Sequence, residues 1–526
     1  MLDEKGIEIV EKFLEADLQV HFDVVLKIRE SDNPSLLIEQ IIKNVPKNAP
    51  VALPQHIPGW KDRYFEPAIP RLKPVTQQPV NIPDTTDEGV TKETDGTRFL
   101  SPANIEIIYG TPEEQKRGAE YTDFIYYFRD RYDKLSKMLR GRGEPMPISA
   151  LTQTTRYRQQ TVTIIGMISE VRNTAKGHRI AVLEDPTDTI NVLFYNPQNG
   201  NSNYANKDLE REKKRAEVFS EAEKLIPDEV VMVKGSLSNE GTIIFADTLH
   251  RPDIPLNNAP YKSETPGKAV FISDVHVGSD TFLQKEWDKF TDWLCNCGAQ
   301  YLLIAGDLVD GIGIYPDQDK ELTVPNIYAQ YEIFAKMLEK LPKDMSIIIS
   351  PGNHDAIRGS EPQPGLPDAF TQHFPKNVIL VENPAMVNLQ GVRVLMYHGR
   401  SFDDLISMIP GASYTHPEEM MLEMLKRRHL ACTYGMRTPI NAAKEDKLVI
   451  DPIPEILHTG HVHICGQLKY RGVLCINTGT WQSQTSFQKQ MNIQPTPARA
   501  YMVDLQTLEC QLYDFNGEFV DIVNES

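Results

Sequence analysis

Five stretches of this chain place carboxylates, imidazoles and an amide directly after an apolar run. KAVFISDVHVGS delivers Asp274 and His276, YLLIAGDLVDG delivers Asp307 and Asp310, and SIIISPGNHDAIR delivers Asn353, His354 and Asp355. RVLMYHGRSFDD then supplies His398, and EILHTGHVHICG supplies His461 and His463. Hard oxygen donors mixed with imidazole nitrogens suit Mn²⁺, Fe or Zn rather than a metal that prefers thiolates. The donors exceed one ion's needs and suit two ions sharing a bridging carboxylate. Two cations roughly 3.5–4 Å apart hold a phosphoryl group, acidify a water and stabilise the leaving oxygen. In Asp-x-His, residues i and i+2 of an extended strand end point the same way, so Asp274 and His276 are expected to reach one ion. A lone Asp-x-His or Gly-Asp is ordinarily a solvated loop or turn, but a series of five after hydrophobic strands is not.

These groups can meet only if the strands before them lie side by side. Loops at the carboxyl ends of strands in an α/β sheet converge on one crevice, and from about Lys268 apolar strands alternate with helices in the required way. Upstream, QQTVTIIGMISEVRN, HRIAVLED, TINVLFYN, EVVMVKGSL and GTIIFADTLH are short β-branched runs broken by Gly, Asp, Pro and Asn, with a helix over about Lys207 to Leu225. That order predicts a five-stranded OB-type barrel. Its strands offer few aromatics for stacking bases (Phe194, Tyr195, Phe245), so a structural or docking role is favoured over independent DNA binding.

A helix from roughly Pro112 to Arg140 carries Tyr121, Phe124, Phe128, Tyr132, Leu135 and Leu139 on one stripe, expected to pack against its own protein rather than a free partner. Residues 1 to about 48 read as short helices, with Leu37, Ile38, Ile41 and Ile42 following the cap-like Asn33-Pro34-Ser35. Seven prolines between Pro54 and Pro83, then a Thr-, Asp- and Glu-rich run to Gly96, mark a tether. The predicted layout is a helical module at 1–50, a linker at 51–105, a connecting helix at 106–150, the barrel at 151–260 and the metal-binding domain at 261–526.

With 55 Lys and Arg against 73 Asp and Glu among 526 residues, the net charge of -18 argues against a generic basic nucleic-acid coat. It leaves room for a nuclease whose cations supply local positive charge. No apolar run reaches the roughly 18 residues needed to span a bilayer, and MLDEKGIEIVEKF is no signal peptide. Six sparse cysteines suit a reduced interior, and Cys295-x-Cys297 lacks the second pair a zinc knuckle needs. A cytoplasmic, nucleoid-associated location without membrane contact is expected. His21, His56, His178, His250, His373 and His416 read as surface or satisfied residues and His458 as structural, with His429 a candidate supporting group. Arg400, Arg427, Arg428 and Arg437 are candidates for DNA phosphates.

The ordered motifs D-x-H, GD-x-x-D, GNHD, HG and GH-x-H resemble the calcineurin-like metallophosphoesterases. FISDVHVGS, LLIAGDLVDGIGIYP, PGNHDAIR, YHGRSFDDLI, RRHLACTYG, HTGHVHICG and TWQSQTSFQKQMNIQPTPARA narrow this to the small, exonuclease-subunit family of archaeal family-D DNA polymerases, over about residues 100 to 515. The resemblance implies a two-sheet β-sandwich flanked by helices, preceded by an OB-fold barrel and a small N-terminal helical domain. It implies two divalent ions, Mn²⁺ first with Mg²⁺, Fe or Zn as alternatives. Asp274, His276 and His463 would hold one, Asn353, His398 and His461 the other, and Asp307 would bridge them. It further implies that His354 sits at the scissile phosphate, with Asp310 orienting it. The implied activity is 3′→5′ proofreading on single-stranded or mismatched DNA ends, with a large catalytic subunit as partner and supplier of polymerase activity. The alternatives are a scaffold subunit without metal, or a repair nuclease of the same superfamily.

Overall fold

The computed structural model describes residues 12, 19–20, 27–28, 31, 33–44, 51–52, 105–112, 121–199, 209–315, 318–490 and 492–523. The chain forms two compact units, Met1–Glu93 and Thr94–Ser526. In the first, the expected helix forms at Pro34–Asn44 and buries Ile38 and Ile41. Asn33 caps it, its Oδ1 accepting from the Leu36 N–H at 3.3 Å. A parallel pair, Gln19–Val20 with Val51–Ala52, was not foreseen. The Pro-rich tether, His21, His56 and the start of the long helix up to residue 120 lie outside the described residues.

In the second unit, a seven-stranded and a six-stranded sheet face one another. Phe271, Tyr301, Leu303 and Ile348 from one meet Val387, Val394, Ile456 and Ile476 from the other, all fully buried. The outer face of the larger sheet is covered by helices Gln284–Asn296 and Ile327–Glu339 through Trp287, Phe290, Tyr331 and Phe334. Helices Phe402–Met408 and Pro417–Arg427 cover the smaller sheet through Phe402, Met420 and Met424. Strands read as near-continuous apolar runs because both of their faces are covered.

Strands Lys268–Ile272, Tyr301–Ala305 and Ser346–Ser350 are parallel neighbours in the larger sheet. Val392–Met396 and Ile456–Thr459 are parallel neighbours in the smaller one. The sequence placed residue 105 at the end of a linker and 106–109 at the start of a connecting helix. Instead, strand Ile105–Tyr109 closes the edge of the smaller sheet, antiparallel to Ala385–Leu389.

A closed barrel forms from Thr161–Asn173, Arg179–Glu184, Thr189–Phe194, Ile243–His250 and Val230–Leu237, in that order around the ring. Its five strands and the helix Leu209–Glu223 fall where the sequence placed them. Inward residues such as Ile164, Leu183, Val192 and Val233 alternate with outward ones, the period-2 pattern of a half-buried strand.

Helix Tyr121–Leu139 joins barrel to sandwich. Leu135 and Leu139 are buried with Ile165 and Met232 of the barrel, while Tyr127 is buried with Met386 and Tyr397 of the sandwich. Phe124 and Phe128, half-buried, meet Tyr434 edge to face. The stripe read from sequence missed Tyr127 and Arg131 on the adjoining face. Arg131 is fully buried, its Nε 2.7 Å from Asp446 Oδ2. Among the described residues, no helix is long and apolar enough to cross a membrane. None of the six cysteines forms a disulfide.

Candidate metal centre

All five polar clusters follow their strands at one edge of the sandwich. The first two loops run side by side. Asp274 N–H donates to Gly306 O at 3.0 Å, His276 N–H to Asp307 O at 3.1 Å, and Asp310 N–H to Val277 O at 3.0 Å. The extended strand end expected for Asp-x-His is not what forms. The strand stops at Ile272, and Asp274, His276 and Asp307 adopt left-handed backbone with φ of 52°, 54° and 52°. His461 and His463 do the same at 72° and 63°. Such conformations cost about 1–3 kcal/mol each and persist only where surrounding bonds over-determine them. The ladder between the two loops does that here.

Among the described residues, three donor sets result: Asp274, His276 and His463; His276, Asp307 and His354; and Asp307, His398 and His461. Within the first, His276 Nε2 lies 3.1 Å from His463 Nε2, and His463 Nε2 lies 3.4 Å from Asp274 Oδ1. Asp307 Oδ2 stands between the sets, 3.8 Å from His276 Nε2 and 3.2 Å from His398 Nε2. Asn353 Oδ1 is 3.1 Å from the same His398 nitrogen. Every metal ligand expected from sequence is therefore in or beside one of these sets.

The donors fit divalent cations. Two imidazole lone pairs 3.1 Å apart repel unless a proton or a cation lies between them. The glycines keep this space clear, since a Cβ on Gly352 would strike Asp307 Oδ1 and one on Gly460 would strike Asp274 Oδ2. Burial opposes charge on His276, but the carboxylates of Asp274, Asp310 and Asp307 around it outweigh that and push its pKa up to about 10. Burial also opposes charge on Asp307, yet His398, His354 and His276 hold it well below the usual carboxylate range. The site thus concentrates ionised carboxylates that attract positive charge.

A ring of supporting groups fixes the donors. His398 Nδ1 lies 2.8 Å from Ala305 O, which turns Nε2 to the site. Gln488 Nε2 holds His463 Nδ1 at 2.8 Å, and Asp403 Oδ2 lies 3.4 Å from His461 Nε2. Asp355 braces the third loop, accepting from Gly352 N–H at 2.8 Å and Tyr331 Oη–H at 3.0 Å. Burial, then the neighbouring Asp307, pushes the Asp355 pKa up to about 7.

The role expected of Asp310 is corrected. Its carboxylate does not meet His354. Oδ1 lies 3.1 Å from His276 Nδ1, and Gln482 and Gln318 amides donate to Oδ1 and Oδ2, both at 2.9 Å. His354 Nδ1 instead faces the main-chain carbonyl of Asp310 at 2.8 Å. Burial lowers the His354 pKa. Sequence reasoning assigned no role to Gln318, Gln482 or Gln488, whose spacing from the donors follows no local rule.

Other candidates lie elsewhere. His429 Nε2 is 2.8 Å from Asp446 Oδ2 in the Arg131 cluster, not behind the donors. His458 is buried edge-on to Phe271 in the sandwich core, as a structural histidine should be. His178 accepts from Asn196 N–H and His416 meets Glu418. Arg427 and Arg428 are buried and cannot meet a strand: Arg427 faces Glu423 and Glu229, and Arg428 donates to Ile450 O. Arg437 is exposed, and Arg400 donates to Gly359 O.

Residues 269–464 match the family model of the DNA polymerase alpha/epsilon B-subunit. The DNA polymerase II small subunit of Archaeoglobus fulgidus is 43% identical over 71% of this chain and 73% of its own length. That of Methanothermobacter thermautotrophicus is 36% identical over 93% and 96%. The solved structure of an archaeal phosphodiesterase superposes on 49% of this chain and 99% of its own at 12% identity, with a TM-score of 0.26. The small subunit of Halobacterium salinarum is 34% identical over 98% of this chain and 99% of its own. At that identity and coverage, the chain belongs to the family of archaeal DNA polymerase II small subunits.

Proposed function

We propose that this subunit is a 3′→5′ proofreading exonuclease built on a calcineurin-like phosphoesterase domain. The carrying observation is that a polymerase small subunit keeps a full set of converging carboxylate, amide and imidazole donors around Asp307. Asp274, His276 and His463 would hold one divalent cation, Asn353, His398 and His461 would hold a second, and Asp307 would serve both, with Mn²⁺ the first choice. Bound there, two such ions supply the charge that draws in a phosphoryl group and makes a water acidic. Asp310 orients His276, and Gln318 and Gln482 fix Asp310 in turn. His354 keeps Nδ1 on the Asp310 carbonyl, so Nε2 is the atom that faces the phosphate, steadying its charge or handing a proton to the leaving 3′-oxygen. The strand order of the barrel supports an OB-type module, and the few aromatics on its strands favour docking over reading DNA. A large catalytic subunit supplies synthesis and presents the strand.

The test is the complex of both subunits acting on 3′-labelled oligonucleotides in Mn²⁺. Nucleoside monophosphates should appear faster from single-stranded or mismatched ends than from matched duplex, and Asp307→Asn should abolish their release. A wild-type complex that releases none is the scaffold outcome, and one that works only 5′→3′ is a different nuclease.

A further inference from the structure

Residues 311–315, Gly-Ile-Gly-Ile-Tyr, leave the metal centre directly after Asp310. Gly311 and Gly313 take φ of 77° and 73°, a left-handed backbone that residues with side chains rarely adopt. A Cβ on Gly311 would strike the main-chain oxygen of His354, so the loop is seated against that residue. Two buried glutamines tie it down. Gln330 Oε1 accepts from Gly311 N–H at 3.0 Å, and its Nε2 donates to Gly311 O at 3.1 Å. Gln318 Oε1 accepts from Ile314 N–H at 2.9 Å while its Nε2 holds Asp310. Tyr315 Oη donates to Glu321 at 3.0 Å, and its ring centroid lies 6.4 Å from that of His354. On this fixed base Ile312 and Ile314 stand 46% and 41% exposed.

Single exposed apolar residues are ordinary. Two isoleucines beside a tyrosine, held at the edge of a metal centre by buried hydrogen bonds, form a placed surface. Bases present apolar faces that stack on an aromatic ring such as that of Tyr315 whatever their sequence, and that bury aliphatic side chains beside it. An acidic chain has particular need of this contact, because its net charge of -18 offers little general attraction for a DNA backbone.

We propose that Ile312, Ile314 and Tyr315 seat the base of the 3′-terminal nucleotide beside His354. The inference rests on the exonuclease reading above and names its positioning residues. A paired terminal base must leave its helix to reach this seat, which costs least at a mismatched or single-stranded end. The loop thereby selects frayed ends without reading sequence.

The test compares two single-stranded oligonucleotides, one with an ordinary 3′-terminal nucleotide and one whose terminal sugar carries no base, using the two-subunit complex in Mn²⁺. For the wild type, the abasic end should show the higher KM. The double variant Ile312→Ser, Ile314→Ser should raise KM for the ordinary end about five- to hundredfold, the range that losing the burial of apolar side chains against the base implies. The same variant should lose far less on the abasic end, where no base meets the seat. Equal losses on both substrates, no change on either, or failure of the double variant to assemble with the large subunit would each overturn the base seat. Wild-type hydrolysis indifferent to the base overturns the seat alone. Wild-type inactivity on both substrates overturns the exonuclease reading and the seat together.

Discussion

Nε2 of His276 lies 3.1 Å from Nε2 of His463, two nitrogens brought together from loops 187 residues apart. Around them, Asp274 and Asp307 are buried and ionised. A cation held by these converging donors binds the folded chain and not the unfolded one, in which the donors are far apart. Adding Mn²⁺ to chelator-treated protein should therefore raise Tm, with stabilisation of about 2.7 kcal/mol when the free ion is at a hundred times its Kd. Asp307→Asn should erase most of that rise while leaving the cation-free protein folded. Calorimetry with and without Mn²⁺ measures both, and an unchanged wild-type Tm contradicts the metal centre.

Asp310 and His354 should fail in different ways. His354 has its Nδ1 on a carbonyl, so His354→Ala should keep bound cation and lose hydrolysis by about 10²–10⁴-fold, the usual worth of an acid–base side chain. Asp310→Ala should free His276 and weaken cation affinity roughly 10–100-fold, as loss of a ligand's carboxylate partner typically does. Metal titration beside single-turnover hydrolysis separates the two. Stoichiometric loss of metal from His354→Ala would make it a ligand.

Acid should destabilise the fold through two histidines outside the metal centre. Burial, then the Arg131 charge, holds the His429 pKa down to about 4, and burial holds His458 down to about 3. Both stay neutral in the folded chain while the unfolded chain takes up protons below about pH 6.5. Their contribution is thus fully present above that pH and is lost as pH falls toward the folded values, by up to about 1.4 kcal/mol per unit for each. Urea midpoints at pH 7.5 and 5 should differ, and less so in His458→Leu, which binds no proton in either state. Equal pH sensitivity of the two proteins contradicts the assignment.

Truncation should show a sharp limit. A chain starting at residue 101 keeps strand Ile105–Tyr109 and should fold and bind metal. One starting at 111 loses that strand, the carbonyl that accepts from Glu382 N–H at 2.7 Å, and the cover over Val387 and Leu389. Its Tm should drop by several degrees or it should aggregate through the bared sheet edge. Equal melting of the two fragments would show the strand to be dispensable.

Much of this protein was legible from its residues alone. Alternating β-branched runs fixed the barrel strands because side-chain direction along a strand has period two. Apolar runs ending in Asp, Asn and His marked the donors because a carboxylate or imidazole has little place beside a covered strand unless something binds it. Tertiary structure decided how those donors are held. Asp310 looked like the partner of His354, but the loop turns its carboxylate to His276 and leaves only its carbonyl for His354. Gln482 reaches Asp310 across 172 residues, a contact no spacing rule encodes. Arg427 looked available for phosphate until helix Pro417–Arg427 packed it against Glu423 and the barrel's Glu229. Local chemistry sets what each residue can bind, while the order of strands in two facing sheets sets which distant residue arrives first.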